Sequence, residues 1–188
     1  MTKESQLDYV EEVDKNGILN LPIGHYTIVN VSHNKNKLTP KLSIYGLGSC
    51  IALILCDYQH NICGMSHVLL PKSTKKKIIY PHKYANLSAK LLMQELINHG
   101  AEREHIKAII AGGSKIFDLK NNVMGFDNIR SITEELNKLN IEIIKEDVGG
   151  DKGRIIIFDS KDFTFYSKFT RENDFKKFNY QKFKKNGL

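Results

Sequence analysis

Hydrophobic positions along the chain fall into short runs at strand spacing, broken by glycine, asparagine and proline, with two longer stretches at helical spacing. Residues 26–31 are rich in β-formers and predict a strand. Residues 32–40 are rich in Asn and Lys and predict a loop. Residues 42–45 predict a strand, 46–50 a glycine-rich bend, and 51–56 a continuous apolar run suited to a buried strand. Residues 57–61 predict a turn, and 62–70 a further strand stopped by Pro71, so 51–70 reads as a hairpin. Residues 84–99 predict the clearest helix, with Ala85, Ala89, Leu92, Met93, Leu96 and Ile97 on one face and Gly100 to close it. A strand at 106–111 and a second helix over 128–140 follow, the latter with Ile129, Ile132, Leu136 and Leu139 on its buried stripe. Further strands are predicted at 141–144, 154–158 and 163–166. Hairpins plus two helices, with no internal repeat, give an α+β layered domain.

The chain divides into a loosely held segment 1–20, a domain 21–165 and a basic, aromatic extension 166–188. Its 188 residues suit one domain, and 41% hydrophobic residues suffice for a core. The net charge is +7, and five of those charges lie in 166–188, which holds seven basic and two acidic residues. The body is therefore nearly neutral, and no general affinity for nucleic acid is expected. The tail interleaves lysines with Phe165, Tyr166, Phe169, Phe175, Phe178, Tyr180 and Phe183, a pattern that suits an anionic membrane surface, RNA or a partner protein, or a helix packed back on the domain. The first residues hold no apolar stretch, and the longest apolar run, 51–56, is too short to span a bilayer. A cytoplasmic protein without membrane insertion is expected.

Three cysteines, Cys50, Cys56 and Cys63, are an odd number and do not suggest a disulfide framework. Their spacing does not match zinc ribbons or fingers. In an antiparallel hairpin, positions equidistant from the turn face each other or sit one step off. Cys50 and His67 flank the 57–61 turn at such positions, with a one-residue bulge to adjust their facing. An imidazole beside a thiol can take its proton and hold the thiolate as an ion pair. Gly46, Gly48 and Ser49 precede the thiol, and backbone N–H groups there suit an oxyanion. Two alternatives stand beside this one: a cysteine that is only a small buried hydrophobe, and a Cys/His metal site built from Cys50, Cys56, Cys63, His60 and His67.

The segment Gly46-Leu47-Gly48-Ser49-Cys50 resembles the LGSC signature of the CheD family. Gly64-Met65-Ser66-His67-Val68-Leu69-Leu70-Pro71 resembles its G-x-x-H-x-x-L-P segment, at a matching distance. Tyr84-Ala85, Gly100-Ala101 with Arg103, Ala111-Gly112-Gly113-Ser114 with Phe117, and Asp147-Val148-Gly149-Gly150 with Gly153-Arg154 and Phe158 continue the likeness. The resemblance implies hydrolysis of glutamine side chains in methyl-accepting chemoreceptors, with Cys50 as nucleophile and His67 as base. It implies a layered α/β sandwich of mixed, largely antiparallel sheets, similar to the catalytic domain of cytotoxic necrotizing factor toxins. It implies a CheC-type phosphatase as a second partner, and no cofactor or metal. Tyr84, Gly112, Gly113, Gly149 and Gly150 are expected at the site rim, and His82 near it.

Two departures accompany the likeness. Ile44 stands where the family often has a threonine counted as a third catalytic member, and it cannot orient an imidazole. That leaves a backbone carbonyl to orient His67, or a non-catalytic adaptor of the same fold. Asp127 stands where an arginine is usual in the stretch Gly125-Phe126-Asp127-Asn128. The basic loop 72–83, with Lys75, Lys76 and Lys77, and the glycine-rich turn 149–153 read as a solvated loop and a structural turn.

Overall fold

The computed structural model describes residues 13–32, 39–75, 77–115 and 123–182. Lys76, Phe117, Phe183 and the first twelve residues lie outside that range. The strands are β1 (Ile18–Asn20), β2 (Tyr26–Asn30), β3 (Lys41–Leu47), β4 (Ile51–Asp57), β5 (Ile62–Val68), β6 (Ile106–Gly112), β7 (Glu142–Val148), β8 (Arg154–Asp159), β9 (Thr164–Phe169) and β10 (Lys176–Asn179). The helices are α1 (Ala85–Asn98) and α2 (Met124–Lys138), with short 3-10 turns at Pro81–Lys83 and Arg103–His105.

Two five-stranded sheets form, ordered β1-β3-β8-β9-β10 and β2-β5-β4-β6-β7. Pairing is antiparallel except for β1 with β3 and β6 with β7. The result is the expected α+β arrangement of mixed, largely antiparallel sheets. The second sheet is the middle layer. Strand alternation explains why its central strand β4 is apolar at almost every position. Ala52, Ile54 and Cys56 join the core between the sheets, with Ile44, Met65, Phe158 and Phe165. Ile51, Leu53 and Leu55 face the helices and meet Ala89, Leu92, Leu96 and Ile132. Each such aliphatic side chain contributes about 1.5–3 kcal/mol by leaving water.

Helix α1 matches its predicted stripe, with Ala85, Ala89, Leu92, Met93 and Leu96 buried. Gly100, at φ 101°, turns the chain out of it. Helix α2 begins four residues before the predicted start. Its first turns bury Gly125, Asn128 and Ser131, which no hydrophobic stripe signals. Asp127 sits in its first turn, where the helix dipole favours an acid, and pairs with Arg130 at 3.0 Å.

Strands β1 and β10 were not predicted. β1 draws residues 18–20 of the N-terminal segment onto the edge of the first sheet, in parallel with β3. Residues 164–179 supply β9, which overlaps the strand expected at 163–166, and β10, so part of the extension returns to the domain as a strand and not as the helix that was one alternative. Its aromatics meet lysines: Lys168 Nζ lies 4.8 Å from the Phe175 ring and Lys145 Nζ 5.7 Å from Phe178. Among the described residues, no helix is long and apolar enough to cross a membrane.

Candidate active site

The β4–β5 register runs from Asp57↔Ile62 through Ala52↔His67 to Ile51↔Val68. One further step would set Cys50 opposite Leu69, so His67 is its diagonal neighbour. This corrects the expected facing or one-step offset. An offset of two preserves the face, whereas a one-residue slip would reverse it. Cys50 packs against the core between the sheets, and so do Cys63 and Met65, which lie four and two residues before His67 on the same face of β5. The register thus sets thiol and imidazole on one face of the sheet as diagonal neighbours, a relation that puts Cβ atoms roughly 7 Å apart.

His67 is 7% exposed. Its Nδ1 lies 3.0 Å from the Leu21 carbonyl oxygen. A carbonyl only accepts, so Nδ1 carries the proton and Nε2 is left as the basic nitrogen. The Leu21 N–H in turn donates to the Ser43 carbonyl at 2.9 Å, so the backbone of β3 fixes the group that orients the imidazole. Gly24 N–H to His67 O at 2.8 Å and His67 N–H to His25 O at 3.0 Å hold the main chain. Ile44 is 1% exposed in the core between the sheets and takes no polar role.

Cys50 is half-buried, whereas Cys56 and Cys63 are fully buried. Burial pushes the Cys50 thiol up, against a smaller lowering by its own backbone N–H. Burial pushes His67 down, partly offset by the Leu21 hydrogen bond, and nearby His25 lowers it further. Both shifts favour the uncharged forms of thiol and imidazole over an ion pair.

The loop before Cys50 is tied down through three successive carbonyls. Gly48 O accepts from Ser114 N–H at 2.9 Å, Ser49 O from Asn128 Nδ2 at 2.8 Å, and Cys50 O from Gly113 N–H at 2.8 Å. A trans peptide points its N–H opposite its C=O, so the Ser49 and Cys50 N–H groups are directed away from these anchors. Gly112 must be glycine: at φ 107°, a Cβ there would lie 2.1 Å from Cys50 O.

Behind this loop lies a clamp. Arg154, 3% exposed, donates from Nε to Asp147 Oδ1 at 3.1 Å and from NH1 to Ser114 Oγ. Ser114 Oγ donates to Gly149 O at 3.0 Å, and Gly149 N–H and Lys115 N–H bond Gly112 O and Gly150 O. Gly112, Gly113, Gly149 and Gly150 are thereby gathered around the Cys50 loop. Tyr84 is linked to the end of β5 through an isolated bridge to Leu70.

Asn128 is the supporting residue that periodicity missed. Wholly buried, it donates to Ser49 O and, at 3.0 Å, to Leu69 O. One amide thus joins the loop before the thiol to the segment after the imidazole. A buried asparagine within a helix was the available signal.

The structure separates other candidates. His82 is stacked on Tyr26 at 4.0 Å and lies 3.3 Å from Ser88 Oγ, which meets Ser66 Oγ at 2.8 Å. Ser66 and His67 are consecutive on β5, so His82 is on the opposite face from the thiol. The five-residue Cys/His metal site does not form: the free thiols Cys56 and Cys63 are opposed on adjacent strands β4 and β5, and they lie with His60 towards the turn, at the other end of β4 from Cys50.

The class defined by the fold is a two-sheet α+β domain of mixed, largely antiparallel sheets, with Cys50 and the oriented His67 on one face of the second sheet. The family described as CheD chemotactic sensory transduction matches over residues 69–169. A Clostridium botulinum (strain Hall) protein, "Probable chemoreceptor glutamine deamidase CheD", is 37% identical over 140 residues, 72% of this chain and 86% of its own length. A protein of the same description from Clostridium novyi (strain NT) is 39% identical over 127 residues, 65% of this chain and 78% of its own. The chain belongs to the CheD family.

Proposed function

We propose that the protein is a protein-glutamine deamidase acting in the cytoplasm on methyl-accepting chemoreceptors. The observation that carries this reading is the placement of Cys50 and His67 on one face of adjacent strands, with Leu21 O fixing the imidazole. His67 Nε2 takes the thiol proton as sulfur attacks the glutamine carboxamide carbon. Burial favours the neutral thiol and imidazole, so proton transfer accompanies attack. The N–H groups of Ser49 and Cys50 receive the oxyanion. Imidazolium returns the proton to the leaving nitrogen, and ammonia departs from a thioester. A water deprotonated by His67 then releases glutamate and restores the thiol. The names of the relatives support the substrate, and a CheC-type phosphatase is the expected regulatory partner.

Receptor cytoplasmic fragments incubated with the protein should convert specific glutamines to glutamate, read by peptide mass spectrometry. Conversion should vanish in Cys50→Ala and fall strongly in His67→Gln. Undiminished conversion in Cys50→Ala would end the assignment. Ile44 favours a second reading, an adaptor of the same fold. It predicts receptor binding unaffected by Cys50→Ala and no conversion by the wild type.

A further inference from the structure

At the turn end of the β4–β5 hairpin, one potential ligand atom from each of Asp57, His60 and His105 lies within 4.8 Å of the others. The Glu102 carboxylate sits between the two imidazoles, with Oε1 3.5 Å from His60 Nε2 and Oε2 3.2 Å from His105 Nδ1. The rings are stacked at 5.6 Å, 25° from parallel. His105 Nδ1 is shut off from solvent, and the Glu102 oxygen beside it lies within ion-pair distance but outside hydrogen-bond geometry.

Asp57 explains how the cluster is set. It is wholly buried and accepts from Gln59 N–H at 2.9 Å, His60 N–H at 3.0 Å and Glu102 N–H at 2.9 Å. Its Oδ2 also lies 2.8 Å from His60 Nδ1. One carboxylate thus locks the turn to the Arg103–His105 segment and fixes the His60 ring. Carboxylate–imidazole pairs of this kind orient metal-binding histidines. Glu102, with its side chain 58% exposed, leaves the cluster open to solvent.

We propose that His60, His105 and Glu102 bind a divalent transition metal of the zinc type, with Asp57 as the outer carboxylate that orients His60. Two imidazoles with carboxylate oxygens suit Zn²⁺ and its neighbours, whereas Mg²⁺ and Ca²⁺ prefer oxygen alone. Tetrahedral ligands at bond lengths near 2.0–2.2 Å stand roughly 3.3–3.6 Å apart, close to the 3.5 Å and 3.2 Å at which the Glu102 oxygens already lie from His60 and His105. The site is separate from the thiol: seven residues of β4 carry the chain roughly 23 Å from Cys50 to Asp57. It does not rest on the deamidase reading.

The test is titration of the full chain with Zn²⁺ by calorimetry, and with Co²⁺ by visible absorption. The expected result is one equivalent per chain, with a Co²⁺ spectrum of low coordination number and a rise in melting temperature. His60→Ala and His105→Ala should each weaken uptake by more than the roughly 10–100-fold typical of an outer-shell partner. Circular dichroism checks that these partly exposed substitutions leave the fold intact. Cys50→Ala should take up the metal as the wild type does. The absence of saturable uptake up to about 0.1 mM would overturn the site. So would uptake that survives the double histidine variant, or uptake lost with Cys50; the cluster would then be a hydrogen-bonded turn only.

Discussion

Replacing Asn128 tests whether one side chain holds the two halves of the site in register. Asn128→Ala removes both donors, to Ser49 O at 2.8 Å and Leu69 O at 3.0 Å, inside a region closed to solvent. A buried acceptor left unmet costs about 1–3 kcal/mol. The expected loss is about 2–4 kcal/mol, below twice the upper figure because a water can enter the vacated space. Asn128→Asp should cost more, since a carboxylate would then face two carbonyl oxygens. Urea denaturation reads the stability. Native alkylation with iodoacetamide reads the site directly, because only Cys50 is accessible while Cys56 and Cys63 are buried. Loosening the loop should speed alkylation, while deamidation falls by about 100-fold, the cost of displacing a reacting group by about 1 Å. Stability within about 0.5 kcal/mol of the wild type, with unaltered alkylation, would refute the bridging role.

Three further outcomes are expected. Gly112→Ala should destabilise by about 3 kcal/mol or more, through a forced clash with Cys50 O and a strained φ, seen as a lowered melting temperature. Burial holds His82 down at about 4, below its ordinary 6.5, so the unfolded chain binds this proton more readily. Stability should therefore be full above pH 7 and fall between 6.5 and 4 by about 3 kcal/mol, and urea melts of His82→Gln should show a flatter dependence. Cys50 alkylation should rise with pH along a curve centred above the ordinary thiol value, because burial raises it; an inflection below neutrality would instead show a preformed ion pair.

The hairpin carrying both reactive groups was legible because its signals are local: two apolar runs, a polar turn and a closing proline. The shared face follows from strand alternation, but the two-residue offset depends on how the turn closes, which composition does not specify. The start of α2 was hidden because Asn128 and Ser131 occupy buried positions that a hydrophobic stripe does not mark; they hold carbonyls of Ser49, Leu69 and Pro71. A backbone carbonyl was one alternative for orienting His67, and no sequence signal located it. Leu21 supplies it through its main chain, and its side-chain identity carries no trace of that role. The short strands β1 and β10 gain their order from pairing with distant segments, and the Lys176-Lys177 start of β10 reads locally as solvated chain.

The return of β10 to the first sheet bears on self-association. A bare strand margin invites pairing with another molecule, and lysines are a common deterrent. Here the margin is a four-residue strand beginning with two exposed lysines, laid over β9, whose Phe165 is buried in the core. A chain shortened after Phe169 would uncover the backbone of β9 along residues 164–167. It should therefore lose solubility before it loses the thiol–imidazole arrangement, which is built on the other sheet.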